Sequence, residues 1–349
     1  MNKERRPIFQ PNELSSEAVV SMRTRIVTAI IAIAVVLPIL LFGDWPFFIL
    51  MSVVLVLGVI EVVRCAKRKY SKVLYITASV LALLILWWSI LKMLPENNFN
   101  WEILKTWRLY DNYQAVYMSA TIMFIGISLA AFTMLIDKNF TIIDACFIFT
   151  IVFIVALGFQ SALVLRYYPM SVYHKSLDLA GQSVPYVNAY DNLESCMLIL
   201  FVAVGACLND AFAYFVGVFF GKHKMIERIS PKKTWEGFFG GVVLTSLFLC
   251  AWAFILAIVD NGNHAILKGL LDLEHWYHII ILSTLIPLVS VLGDLVFSSI
   301  KRHYGIKDFS NVLPGHGGIL DRMDSIVFAL TTCALYMSLF DFWGGVNLV

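Results

Sequence analysis

Nine stretches of about 20 apolar residues recur along the chain, at 26–43, 45–63, 73–94, 114–136, 141–165, 195–220, 237–259, 277–297 and 325–345. A helix of that length crosses the roughly 30 Å hydrocarbon layer of a bilayer. Within that layer every backbone N–H and C=O needs a partner in its own segment, which a helix supplies and a lone strand does not. The expected fold is therefore all-α, a polytopic membrane protein with nine transmembrane helices. Only 14% of the residues are charged, against about a quarter in a soluble domain. A net charge of +2 gives no case for nucleic-acid binding.

Lys and Arg gather at alternate connections. With the N-terminus in the cytoplasm, the inner segments 1–25, 64–72, 137–140, 221–236 and 298–324 hold twenty of the 26 Lys and Arg, and six are left for the outside and the span ends. This is the asymmetry that orients membrane proteins, so a cytoplasmic N-terminus is expected. The first apolar run lacks a small-residue cleavage site and reads as an uncleaved span. The expected organisation is a cytoplasmic arm at 1–25, a front half of five helices at 26–165, an external loop at 166–194, and a back half at 195–349. Loops 221–236 and 298–324 of the back half carry the chemistry.

The second of these loops contains Lys301, Arg302, Lys307 and Arg322, four cations able to neutralise phosphates. Gly315, Gly317 and Gly318 around His316 let backbone N–H groups come close to an anion just before a helix. Asp321 and Asp324, three apart, share a helix face and suit a hard divalent cation. The first loop contains Ser230-Pro231-Lys232-Lys233-Thr234-Trp235-Glu236-Gly237. Taken alone, that run also fits a positive-inside loop with an aromatic anchor. Asp210, beside Asn209, and Asp294 lie in apolar runs, where a carboxylate costs roughly 2.5–3.5 kcal/mol at a helix centre and asks for a reason. Glu61, Asp144 and Asp341 stand near span ends and read as capping or snorkelling groups. The six cysteines show no metal-type spacing and read as small hydrophobes. No P-loop, G-x-S-x-G or H-E-x-x-H motif is present in the sequence.

The block from Ser298 to Asp324 resembles the C-terminal motif of the phosphatidate cytidylyltransferases, also called CDP-diacylglycerol synthases. The positions that match are Ser298, Lys301, Arg302, Lys307, Asp308, Pro314, His316, Gly317, Gly318, Asp321, Arg322 and Asp324. The runs Asn209–Tyr214 and Ser230–Gly237 resemble two earlier motifs of the same family, in the same order. The resemblance implies a metal-dependent nucleotidyltransferase that joins CTP to phosphatidic acid, giving CDP-diacylglycerol and pyrophosphate. It further implies that Asp294, Asp321 and Asp324 hold Mg²⁺, with a second cation such as K⁺ allowed by the two-metal pattern. Lys232, Lys233, Lys301, Arg302 and Arg322 would then neutralise phosphates. Ser230, Lys307, Asp308, Gly315, His316, Gly317 and Gly318 would contact substrate, and Asn209 and Asp210 would orient substrate or metal. A homodimer is implied too, with its site at the cytoplasmic face of a bacterial cell membrane, or of the endoplasmic reticulum in a eukaryote. Many bacterial members carry an acidic residue where this chain has Phe297.

Two other readings share some of these features. A polyprenol kinase or an archaeal-type cytidylyltransferase would also place acids in the membrane beside basic loops. A transporter with midplane acids would show matching motifs in two halves, whereas here the chemistry is confined to the back half.

Overall fold

The computed structural model describes residues 16–93, 111–137, 139–179, 189–259, 266, 271, 273, 275–315 and 317–344. Each apolar run forms a helix, and among the described residues there are nine. They are α1 (Ser16–Phe42), α2 (Asp44–Cys65), α3 (Lys72–Met93), α4 (Asp111–Ile136), α5 (Ile142–Leu179), α6 (Ala189–Phe220), α7 (Trp235–Ile258), α8 (Trp276–His303) and α9 (Leu320–Gly344). Six helices are long and apolar enough to cross a membrane: Thr24–Phe42, Trp45–Cys65, Ile142–Arg166, Ser195–Phe220, Trp235–Ile258 and Trp276–His303. Shorter apolar stretches lie in α3 (Lys72–Trp87) and α4 (Thr121–Ile136). The chain is thus a mostly helical integral membrane protein.

Several boundaries differ from the sequence reading. Helix α1 begins ten residues before its apolar run, and α5 continues to Leu179, into the stretch read as external loop. Helix α8 runs to His303, so Lys301 and Arg302 sit in its last turn, where basic side chains suit the helix dipole. The expected loop 221–236 contains an antiparallel hairpin, β1 (Lys224–Ile226) and β2 (Ser230–Thr234). Thr234 ends the hairpin and caps α7, its side chain accepting from the Gly237 N–H at 3.2 Å.

Helix α9 packs against α5, α6 and α8. Its first half touches three other helices at glycines. A Cβ on Gly58 of α2 would meet Leu320, one on Gly158 of α5 would meet Val327, and one on Gly293 of α8 would lie 2.5 Å from the Asp324 carbonyl oxygen. Small residues of this kind let helix backbones approach closely in a membrane. The buried core runs through α2, α3, α5, α6, α7, α8 and α9, whereas α1 exposes Ile26, Ile30, Ile31, Ile33 and Val36.

The segments expected on one side of the membrane do meet at one end of the bundle. Arg68 donates to Asp144 at 2.7 Å, the Ser71 N–H to Asp137 at 2.6 Å, and Lys67 to the Gly305 carbonyl at 3.1 Å. Arg302 reaches the Ile229 carbonyl of the hairpin at 3.2 Å, and Thr28 the Pro314 carbonyl at 3.0 Å. At the opposite end Arg166, fully buried, donates to the Leu40 carbonyl at 3.1 Å and to Ser195 at 2.6 Å. It therefore serves the last carbonyls of α1, which lack helical donors.

The acids read as capping groups behave as such where their side chains are described. Thr141 and Asp144 form a reciprocal capping box: the Thr141 N–H donates to Asp144 at 3.1 Å and the Asp144 N–H to Thr141 at 3.3 Å. The Asp341 side chain lies outside the described residues.

Candidate active site

Four elements deliver charge to one end of the bundle. Asp210 comes from α6, Lys233 from β2, Asp294 and Lys301 from α8, and Asp321 and Asp324 from the first turns of α9. Lys233 forms an ion pair with Asp294. Ser298, one turn on, donates to the other Asp294 oxygen at 3.1 Å. Lys301 lies 2.9 Å from Asp321 and 3.7 Å from Asp324, with its ammonium 5.5 Å from the centre of the Phe309 ring. Ser325 joins α9 to α6 by donating to Asp210 at 3.3 Å. Asp210, Asp294 and Asp324 are close enough for each to feel the others' charge. Asp210 is exposed at the residue level although it lies within a spanning helix, and its side chain faces α9 through the Ser325 hydrogen bond.

Asp321 has a different environment from the other acids. One of its oxygens takes Lys301, and the other accepts the N–H groups of Phe309 at 2.8 Å and Gly318 at 2.9 Å. It therefore ties the glycine loop to the start of α9. Phe297 is buried between Phe309 and Phe328, in edge-to-face contact with both rings. It packs the base of that loop.

The glycine run is shaped by packing. Gly317 has φ 87°, a left-handed conformation open to glycine at little cost, and pairs with Leu313 through two backbone hydrogen bonds of 2.9 and 3.1 Å. Its N–H and that of Gly318 are thus donated within the protein rather than directed at an anion. A Cβ on Gly318 would lie 2.8 Å from both carboxylate oxygens of Glu61. Gly315 packs on Arg25, and His316 lies outside the described residues.

The remaining candidates are more dispersed. Asn209 is fully buried and ties α6 to α8, donating to Ser290 at 3.0 Å and to the Pro287 carbonyl at 3.3 Å. Ser230 pairs with Ile226 in the hairpin, and Lys232, Lys307 and Asp308 are exposed. Arg302 braces the hairpin against the end of α8. Arg322 is exposed at the head of α9. Sequence reasoning missed Ser325 and Ser310. Ser325 had one signal, its place directly after Asp324 at the head of a membrane helix.

For metal, the donors present are hard carboxylate oxygens of like charge, a set suited to a hard divalent cation. Among the described residues no three His, Cys, Asp or Glu side chains are grouped so as to hold a metal ion by themselves. Mg²⁺ normally asks for less, one or two carboxylates together with substrate phosphates. The residues present fit that requirement.

Residues 23–340 match the model of a family described as the cytidylyltransferase family. Among similar proteins, the phosphatidate cytidylyltransferase of Bacillus subtilis is 30% identical over 324 residues, covering 92% of this chain and all of its own. Those of Staphylococcus haemolyticus and Staphylococcus epidermidis are 31% and 32% identical, covering 88% of this chain and 96% of theirs. A family match along nearly the whole chain, together with these full-length relatives, means that the chain belongs to the cytidylyltransferase family.

Proposed function

We propose that CTP and phosphatidic acid meet at the charged end of this bundle, on the cytoplasmic face of a bacterial membrane, and react through the residues described above. The activity is that of a phosphatidate cytidylyltransferase in CDP-diacylglycerol synthesis. A phosphate oxygen of phosphatidic acid attacks the α-phosphorus of CTP, a new P–O bond forms, and the bond to the β-phosphate breaks to release pyrophosphate. The nucleophile is already anionic near neutral pH, so no strong base is needed. The barrier is repulsion between two polyanions, and catalysis therefore consists of neutralisation and alignment.

The observation carrying this reading is the meeting of Lys233 and Lys301 with Asp210, Asp294, Asp321 and Asp324 from four separate elements. Lys233 and Lys301 are paired with carboxylates and exchange these partners for substrate phosphates. Lys232, Lys307 and Arg322, exposed around the same rim, hold the triphosphate or the lipid headgroup. Asp294 and Asp324, with Asp210 or Asp321 beside them, would hold Mg²⁺. When bound, that ion neutralises phosphate oxygens and polarises the α-phosphate, and a second cation such as K⁺ would add to the same effect. Asp321 keeps the glycine loop in place, and Asn209 fixes α6 against α8 so that Asp210 faces α9. The proposal includes nine spans with the N-terminus inside, and assembly as a homodimer.

The test uses purified protein in detergent with phosphatidic acid, Mg²⁺, and CTP labelled in turn at the α- and γ-phosphates. The α-label is expected in lipid, with release of pyrophosphate. Entry of the γ-label instead would identify a lipid kinase and overturn the proposal.

A further inference from the structure

Loop 304–319, which leads from α8 into α9, is held from the front half of the chain at several points. Lys67 binds the Gly305 carbonyl, Thr28 binds the Pro314 carbonyl, Phe147 packs edge-on against Tyr304 with ring centres 5.1 Å apart, and Gly315 rests on Arg25. The most buried of these attachments is Glu61, near the end of α2 and only 2% exposed. One of its oxygens accepts from the Ser310 hydroxyl at 2.5 Å and from the Ile319 N–H at 2.9 Å. The other accepts from the Leu320 N–H at 2.9 Å. Ile319 and Leu320 open α9, so the carboxylate occupies a helix N-terminus whose N–H groups lack helical acceptors. Gly318 leaves the room it needs. A single side chain from α2 thus sets the height and rotation at which α9 starts, one residue before Asp321 and four before Asp324.

We propose that Glu61 is a positioning residue for cytidylyl transfer: it sets the start of α9 and so the alignment of Asp321, Asp324 and Lys301. The front half is then a clamp on the catalytic loop as well as a membrane anchor. This rests on the roles given above to the α9 acids. Two physical features support it. All three partners of Glu61 are donors, so a carboxylate satisfies them and an amide does not. A neutral glutamine of the same shape has one oxygen for three donors and leaves its own NH₂ facing an N–H in a buried place. In addition, nothing else among the described residues accepts from the Ile319 or Leu320 N–H groups.

The experiment compares the full-length protein with Glu61→Gln, Glu61→Ala and Ser310→Ala in detergent. It measures kcat and KM for CTP and for phosphatidic acid, together with hydrogen exchange by mass spectrometry. Glu61→Ala is expected to lower kcat at least tenfold with both KM values within threefold. Exchange should rise in peptides covering 309–323 and stay unchanged in α6 and α7. Glu61→Gln should fall between Glu61→Ala and wild type, and Ser310→Ala should cost about threefold in kcat. Full kcat in a folded Glu61→Ala protein would overturn the proposal, as would exchange that rises evenly over the whole chain. Should Glu61→Ala not fold, Glu61→Gln and Ser310→Ala decide: wild-type kcat in both refutes the role. Wild-type turnover of CTP and phosphatidic acid, measured alongside, tests the proposed function separately, and the exchange pattern does not depend on it.

Discussion

Replacing Lys301 by Met should destabilise the protein strongly, and removing one carboxylate should restore much of that loss. The Lys301 side chain is 12% exposed and faces Asp321 at 2.9 Å and Asp324 at 3.7 Å. At an effective dielectric of about 20, these separations correspond to Coulomb attractions of about 6 and about 4.5 kcal/mol. Desolvation of three charged groups offsets most of that, and deleting one member of a buried pair costs about 3–5 kcal/mol because a charge is left uncompensated. Asp321 keeps two N–H donors after the change, whereas Asp324 keeps one hydrogen bond among the described residues, from the Ser325 N–H at 2.9 Å. The uncompensated charge is therefore mainly that of Asp324. Lys301→Met is expected to lower stability by about 3–5 kcal/mol, and Lys301→Met with Asp324→Asn should recover at least half of it while turnover stays absent. Thermal unfolding in detergent and CTP turnover read the two effects. A single variant as stable as wild type would refute the pairing, and a double variant no better than the single would refute the assignment to Asp324.

Lys233 should behave differently from Lys301. Its pair with Asp294 is more open, with side-chain exposures of 26% and 22%, so Lys233→Met should change stability by less than about 1 kcal/mol. In steady-state kinetics kcat/KM should fall at least about tenfold through loss of a charge-assisted phosphate contact of about 1.5–3 kcal/mol. Gly293→Ala places a Cβ 2.5 Å from the Asp324 carbonyl, so α8 and α9 must separate. The expected cost is about 1–3 kcal/mol in a thermal melt, with a fall in kcat because Asp294 moves away from Asp324. Chelation of divalent cations should abolish turnover and Mg²⁺ should restore it, while stability changes little; full activity in excess chelator would remove metal from the mechanism.

Hydropathy made the helices legible, because a run long enough to cross a bilayer has few other uses. It left the polar ends of helices unmarked. The extension of α5 to Leu179 and the last turn of α8 with Lys301 and Arg302 carry no apolar signal. The hairpin escaped notice for a related reason: strands of three and five residues carrying Lys224, Lys232 and Lys233 show no apolar alternation. The site residues of the back half stood out because charge in apolar surroundings needs a reason, and because they fall in dense motifs. The pairing of Glu61 with the start of α9 was not legible, since its partners lie up to 259 residues away in sequence. Of the two roles a carboxylate near a span end can take, capping and snorkelling, Glu61 takes the first, but the helix it caps is not its own. The glycine run illustrates the limit of motif chemistry. Gly-x-Gly-Gly before a helix suggests an anion cradle, yet in the folded chain Gly317 and Gly318 donate to Leu313 and Asp321.

The most direct measurement is a structure of the protein with CTP and Mn²⁺ in place of Mg²⁺, located by its anomalous scattering. The ion should touch a CTP phosphate and oxygens from at least one of Asp294 and Asp324, with Lys233 or Lys301 turned from its carboxylate toward phosphate. Mn²⁺ and nucleotide bound elsewhere, with both lysine–aspartate pairs intact in a protein that turns over under the same conditions, would contradict the proposed site.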